Sequence, residues 1–225
     1  MSDPRIERGM LAMLELRRSQ LAAGARPIGW KLGFGSAAAF EQLGTDRPLV
    51  GFLTDRGLVA DGASVPVGDW TTAMLEPEIA VHLARDLGPG DDAQAAIGGL
   101  SAAIELADVD PPPADPEAIL AGNIFHRHVI LGPVDRGRTS TDGVTGRLVC
   151  DGEEVASTDS PETLTGRLAD VLEAAADALA AAGEGLRAGD VVITGSAVPP
   201  LAVSSGEQVT AELGPLGALT VTLTR

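Results

Sequence analysis

The chain has 225 residues, 44 % of them hydrophobic, which is enough for one sizeable core and too apolar for a disordered segment. Its 32 acids against 16 Lys and Arg give a formal charge of -16, a field that repels nucleic acid and anionic lipid, so neither is expected as a partner. One cysteine, Cys150, excludes an internal disulfide and a cysteine-cluster zinc site, and the lack of tyrosine removes the phenol as a general acid.

Met-Ser-Asp-Pro at the start has neither a basic n-region nor an apolar h-region, and no apolar run approaches ~18 residues. The expectation is a cytoplasmic protein with one domain over 1–225. A first helix is predicted over about 4–23. Asp3 caps it, Pro4 suits the first turn, Gly24 ends it, and Ile6, Met10, Met13, Leu14 and Leu21 form a packing stripe. A short strand from Pro27 runs into the turn Gly33-Phe-Gly35, and Ser36 caps a short helix that Gly44 stops. Lys31 lies between Trp30 and Leu32 in this strand. A lysine there either snorkels along its stem or is held in a cleft, and the local sequence favours the surface. Gly33-Phe-Gly35-Ser-Ala-Ala38 passes for a dinucleotide fingerprint, but the βαβ repetition that should follow is missing, so nucleotide binding is set aside.

Residues 48–70 read as short strands broken by Asp-Arg-Gly and Asp-Gly turns. From 74 to 84, Leu75, Pro77, Ile79, Val81 and Leu83 alternate with Glu76, Glu78, Ala80 and His82, the period of a strand with one apolar and one polar face. Glu76 and Glu78 then point the same way, with Cβ atoms roughly 6–7 Å apart. Carboxylates that close repel, and a hard divalent cation between them relieves the repulsion. A short helix at 92–97 precedes a buried strand from Leu100 to Val109, where Glu105 is the only charge between Ser101 and Asp108. A carboxylate in such a run costs several kcal/mol unless it is paired or binds a cation.

Pro111 to Pro116 form a stiff connector, and Asp115 and Pro116 start a brief helix to Leu120. His126 and His128 lie two apart and would share a face of a strand. Asp151-Gly152 makes a hairpin turn between strands near 146–150 and 153–157. One long helix is predicted over 161–182, with Leu164, Leu168, Val171, Leu172, Ala175 and Leu179 as its buried stripe. A strand over 190–194, a turn at 195–200 and a hairpin over about 207–224 complete the chain.

Gly29-Trp-Lys31-Leu-Gly33, Glu76-Pro-Glu78-Ile-Ala, Ile104-Glu105-Leu106 and Ala188-Gly-Asp-Val-Val-Ile-Thr-Gly195-Ser196, in that order, resemble the fumarylacetoacetate hydrolase superfamily. The branch they resemble is that of 2-keto-4-pentenoate hydratases and 4-oxalocrotonate decarboxylases. The resemblance implies an α+β fold, a mixed β-sandwich or roll with peripheral helices. It implies a Mg²⁺ or Mn²⁺ site at Glu76, Glu78 and Glu105, which Ca²⁺ can fill in crystals. Lys31 would match the active-site lysine, while Gly195, Ser196 and Asn123 would border a small anionic 2-oxo acid. A homo-oligomer is also implied.

Three carboxylates and water form an all-oxygen site suited to a hard cation, which a 2-oxo acid can chelate. Hydration of a 2-hydroxy-2,4-dienoate leads as the expected reaction. Decarboxylation of a 4-oxalocrotonate or oxaloacetate type follows, then acylpyruvate carbon–carbon hydrolysis or a catalytically silent keto-acid binder. Two departures bear on the choice. Leu49 stands where the hydratases carry an acid, and Ile124, Phe125 and His126 replace small polar residues after Asn123. His126 is the candidate acid or base in their place.

Overall fold

The computed structural model describes residues 3–110 and 114–225, so the first half of the connector at 111–116 lies outside the described residues. Helix α1 (Pro4–Ala22) begins at Asp3, whose carboxylate accepts from the Arg5 N–H. Strand β1 (Pro27–Gly33) leads to α2 (Ala37–Leu43), capped by the Ser36 hydroxyl and ended by Gly44 in the left-handed region. Then come β2 (Leu49–Thr54), β3 (Leu58–Val59), β4 (Ser64–Pro66), β5 (Ala73–Leu83), α3 (Ala93–Ala96), β6 (Ile97–Asp108), α4 (Pro116–Ala121) and β7 (His126–Leu131). Strands β8 (Gly146–Cys150) and β9 (Glu153–Thr158) flank Asp151 and Gly152, both at positive φ, as a tight hairpin of the type I′ kind requires. The chain closes with α5 (Glu162–Thr165), α6 (Leu168–Ala181), β10 (Val191–Ser196), β11 (Leu201–Ala202), β12 (Gln208–Glu212) and β13 (Ala218–Thr224).

The strands form two mixed sheets. One runs β2-β1-β10-β5-β6-β7-β3, with β11 added against β5; the other runs β4-β13-β12-β8-β9. Trp30, Leu32, Leu75, Ile79 and Leu106 on one face of the first sheet share a core with Leu148, Val209 and Val221 of the second and with Leu172 and Leu179 of α6. The opposite face is also covered. Leu53, Ala80, Ala103, Val129, Val191 and Ile193 form a second, smaller core there. The mixed β architecture with peripheral helices is therefore the one expected.

Three local readings need correction. The face of β5 bearing Glu76 and Glu78 is not solvated, because the first sheet buries both of its sides and Glu78 and Ala80 are 0 % exposed. Alternation reports two different faces; it does not report which of them meets water. The helix expected over 161–182 is two helices, broken where Gly166 takes φ 90°. Glu162 Oε1 then accepts from the Leu168 N–H and starts α6 afresh, and Leu164 leaves the buried stripe. Finally, His126 and His128 do not share a face. Against β6, Leu106 pairs with His128 and Ala107 with His126, so Arg127 is the extra residue of a bulge.

Candidate metal centre

Strands β5 and β6 are antiparallel neighbours, and their register sets Glu76 directly opposite Glu105. Glu78 follows two residues along on the same face, paired across to Ser196 of β10. One carboxylate oxygen from each of the three lies within 4.8 Å of the others. Glu78 and Glu105 are 0 % and 1 % exposed, and Glu76 borders a cavity. Like charges directly opposite in a sheet destabilise it even at the surface, and burial raises the cost.

The protonation pattern carries that cost. Burial, then the charge of Glu105, pushes the Glu76 carboxyl up to about 7, with Lys31 pulling the other way. Burial pushes Glu78 well above the usual range, helped by Glu105 and Glu76. Burial acts on Glu105 too, but the charge of Lys31 and the contact with His126 outweigh it and hold this carboxyl below its ordinary value. Without a cation the cluster is thus built around one firm carboxylate, Glu105. Glu78 Oε2 accepts from the Gly195 N–H at 2.6 Å, while its Oε1 is buried with no protein partner. An all-oxygen donor set with an orphaned buried oxygen fits a hard divalent cation such as Mg²⁺ or Mn²⁺.

Lys31 is 2 % exposed, which reverses the surface reading of its sequence neighbourhood. Its Nζ donates to Glu105 Oε1 at 2.5 Å and to the Ile124 carbonyl at 3.1 Å. Gly51 leaves the room it needs. A Cβ there would lie 3.0 Å from Lys31 Cγ and 2.7 Å from Asn123 Oδ1. On the far side of Glu105, His126 Nδ1 stands 2.6 Å from the same Oε1. Its Nε2 is buried beside Gly57, and His126 is not in the cavity wall. His128 stacks on Trp70 instead, at 6.0 Å between ring centroids.

Asn123 turns its amide away from the cavity. Its Oδ1 accepts from the Phe52 N–H at 2.8 Å and its Nδ2 donates to the Phe52 carbonyl at 3.0 Å. Both halves of the side chain therefore hold the backbone of β2, and what the structure shows is a clamp on the strand beside Lys31. Gly195 and Ser196 do line the cavity, next to Thr194. The Ser196 hydroxyl donates to the Val198 carbonyl at 2.6 Å, which leaves its lone pairs but no proton for a ligand.

The cavity has a volume of about 400 Å³, with Lys31 and Glu76 in its wall. Ile124 and Phe125, singled out in the sequence as departures after Asn123, do line that wall, while sequence reasoning missed Phe34 and Leu164 in its apolar part. A signal existed: two of the four phenylalanines of the chain flank or follow proposed site residues, at 34 and 125.

The family model for the fumarylacetoacetate hydrolase C-terminal region matches residues 31–224. The chain belongs to the fumarylacetoacetate hydrolase family. Within this family it is 31 % identical over 212 residues to 2-keto-4-pentenoate hydratase 2 of Dechloromonas aromatica (strain RCB), covering 89 % of this chain and 79 % of that protein. It is 29 % identical over 212 residues to a 4-oxalocrotonate decarboxylase of a Pseudomonas species, covering 91 % and 82 %. The fold superposes on the 4-oxalocrotonate decarboxylase of Pseudomonas putida G7 complexed with magnesium and adipate, at TM-score 0.86, 26 % identity and coverage of 94 % and 83 %. Among the described residues, no helix of this fumarylacetoacetate hydrolase family member is long and apolar enough to cross a membrane.

Proposed function

We propose that the chain is a divalent-metal-dependent lyase for a small 2-oxo acid, and that its reaction is hydration of a 2-hydroxy-2,4-dienoate to a 4-hydroxy-2-oxo acid. One observation supports this above the others: three converging carboxylates and a buried lysine meet at the edge of a cavity. Glu76, Glu78 and Glu105 would hold Mg²⁺ or Mn²⁺. A cation held there would supply positive charge to the bound acid. The remaining chemistry falls to side chains of the protein. An ammonium has three donors, and Lys31 uses two on Glu105 and Ile124, so one remains to meet the substrate or to move a proton. Glu105 keeps that ammonium in place, and His126 backs Glu105 from behind as a positioning residue. The Gly195 N–H orients Glu78. The apolar wall keeps water away from the dienol except where the reaction admits it.

Decarboxylation is the second reading, and Leu49 favours it. Hydration needs a group to direct water, and Leu49, standing where the resemblance implies an acid in the hydratases, is a buried aliphatic. Loss of carbon dioxide needs no such group. Ultraviolet assays of 2-hydroxypenta-2,4-dienoate with Mg²⁺, before and after Glu105→Ala, test the leading proposal. Turnover that disappears in the variant and in chelator supports it, and turnover unchanged by Glu105→Ala refutes it. Residues 1–225 would act as one catalytic domain, in the cytoplasm and as part of a homo-oligomer.

A further inference from the structure

Beyond Lys31 and Glu76 the wall of the cavity is mostly apolar and uncharged, with Ser36, Gln42, Thr165, Thr194 and Ser196 as its polar members. Phe34, Pro48, Val109, Phe125, Leu164 and Val171 contribute to it. Among the described residues, Lys31 is the one cation in the wall, and Glu105 and Ile124 already hold it. Arg47, beside Pro48, turns outward to Asp177 at 3.5 Å and is absent from the wall. Phe34 and Phe125 hold φ of 56° and 60°, a backbone region that side chains with a Cβ rarely adopt, and strain of this sort gathers where a site needs a particular side chain.

Size points the same way. A five-carbon dienoate has eight heavy atoms, which at roughly 30 Å³ each, the share of a water in the liquid, fill about 240 Å³. A cavity of about 400 Å³ leaves room for several more carbons. A second carboxylate placed there would be desolvated with no counter-charge, whereas an alkyl chain would gain from burial.

We infer that the distal half of this cavity is a specificity subsite for an apolar tail, so the substrate is a 2-oxo acid with one carboxylate and a hydrocarbon chain of at least six carbons in all. The inference rests on the proposed function and names its substrate class. Calorimetry on the whole protein with Mg²⁺ and three non-reacting acids tests it: pyruvate, 2-oxohexanoate and 2-oxoadipate. The two six-carbon acids differ only in a methyl or a carboxylate at the far end. The expected order is 2-oxohexanoate about tenfold or more tighter than pyruvate, from three added carbons, and at least tenfold tighter than 2-oxoadipate. Leu164→Arg, in the wall but outside the metal centre, should narrow the gap between the six-carbon acids. Equal binding of the two, or preference for 2-oxoadipate, overturns the inference. Pyruvate binding with no gain from the longer chain also overturns it, yet leaves the metal-centre reading standing. Failure of all three acids to bind with Mg²⁺ overturns both. The wild-type comparison decides the matter even if the arginine variant does not fold.

Discussion

Lys31→Met removes an ammonium from among three carboxylates while keeping most of the stem. At 2.5 Å the Lys31–Glu105 attraction is about 7 kcal/mol for an effective dielectric of 20, and desolvation of the two ions cancels several kcal/mol for each. The intact pair therefore adds little net stability. Removing one partner is another matter, because Glu105 is then left buried without its ammonium, at a cost of about 3–5 kcal/mol. In a chain of this length each kcal/mol shifts Tm by roughly 2–4 °C, so the variant should melt about 6–20 °C lower in chelator at pH 8. The pH dependence follows from the direction of the shift. In the wild type Glu105 sits below its ordinary value, so its contribution is present above the unfolded pKa and lost as pH falls through the folded one. In the variant, burial acts without the opposing ammonium, the carboxyl rises, and the penalty grows as pH rises. The gap in Tm should thus widen from pH 5 to pH 8. Glu105→Gln added to the variant should recover most of the loss, and turnover of Lys31→Met should fall about 10²–10³-fold. Differential scanning calorimetry across pH, with steady-state rates, covers both. A gap below about 2 °C at pH 8, or one that shrinks with pH, would refute the buried-pair reasoning.

Glu76, raised to about 7, favours the folded metal-free protein most below its unfolded value of 4.5, and that share of stability is lost as pH climbs through 7. Melting in chelator should therefore fall between pH 6 and pH 8, and saturating Mg²⁺ should flatten the slope. Mg²⁺ affinity by calorimetry should rise with pH through about 7, since cation and proton compete for the carboxylate oxygens of Glu76 and Glu78. Asn123→Ala leaves the Phe52 N–H and carbonyl unpaired and puts alanine at φ 55°, so it should cost about 3 kcal/mol or more in denaturant titrations, with Mg²⁺ binding kept in the folded fraction. Gly51→Ala crowds Lys31 Cγ and Asn123 Oδ1 and should depress kcat more than it changes KM, as rates at saturating substrate will show.

The three metal-ligand candidates were legible because a strand converts spacing into direction: Glu76 and Glu78 share a face whatever the rest of the chain does. Glu105 announced itself as a lone charge in an apolar run, and β6 buries that run on both sides. The cap residues Asp3 and Ser36 and the turn Asp151-Gly152 were legible for the same reason, since their chemistry is local. What was not legible depends on partners distant in sequence. The burial of Lys31 comes from Glu105 and Ile124, 74 and 93 residues away. The separation of His126 from His128 is made by a bulge against β6 that alternation does not signal. Gly166 lies inside the apolar stripe that predicts one helix over 161–182, yet its positive φ breaks that helix, and Leu164 and Thr165 before it stand in the cavity wall. Asn123 was placed by the order of motifs, which fixes neighbourhood but not the direction of a side chain.

The central claim, a cation gathered by Glu76, Glu78 and Glu105, is tested most directly by a crystal grown with Mn²⁺ and measured at the manganese absorption edge. An anomalous peak about 2–2.5 Å from an oxygen of each glutamate is the expected result. No peak among the three carboxylates in crystals that hold Mn²⁺ elsewhere, or a peak that survives at full height in Glu78→Ala, would contradict it.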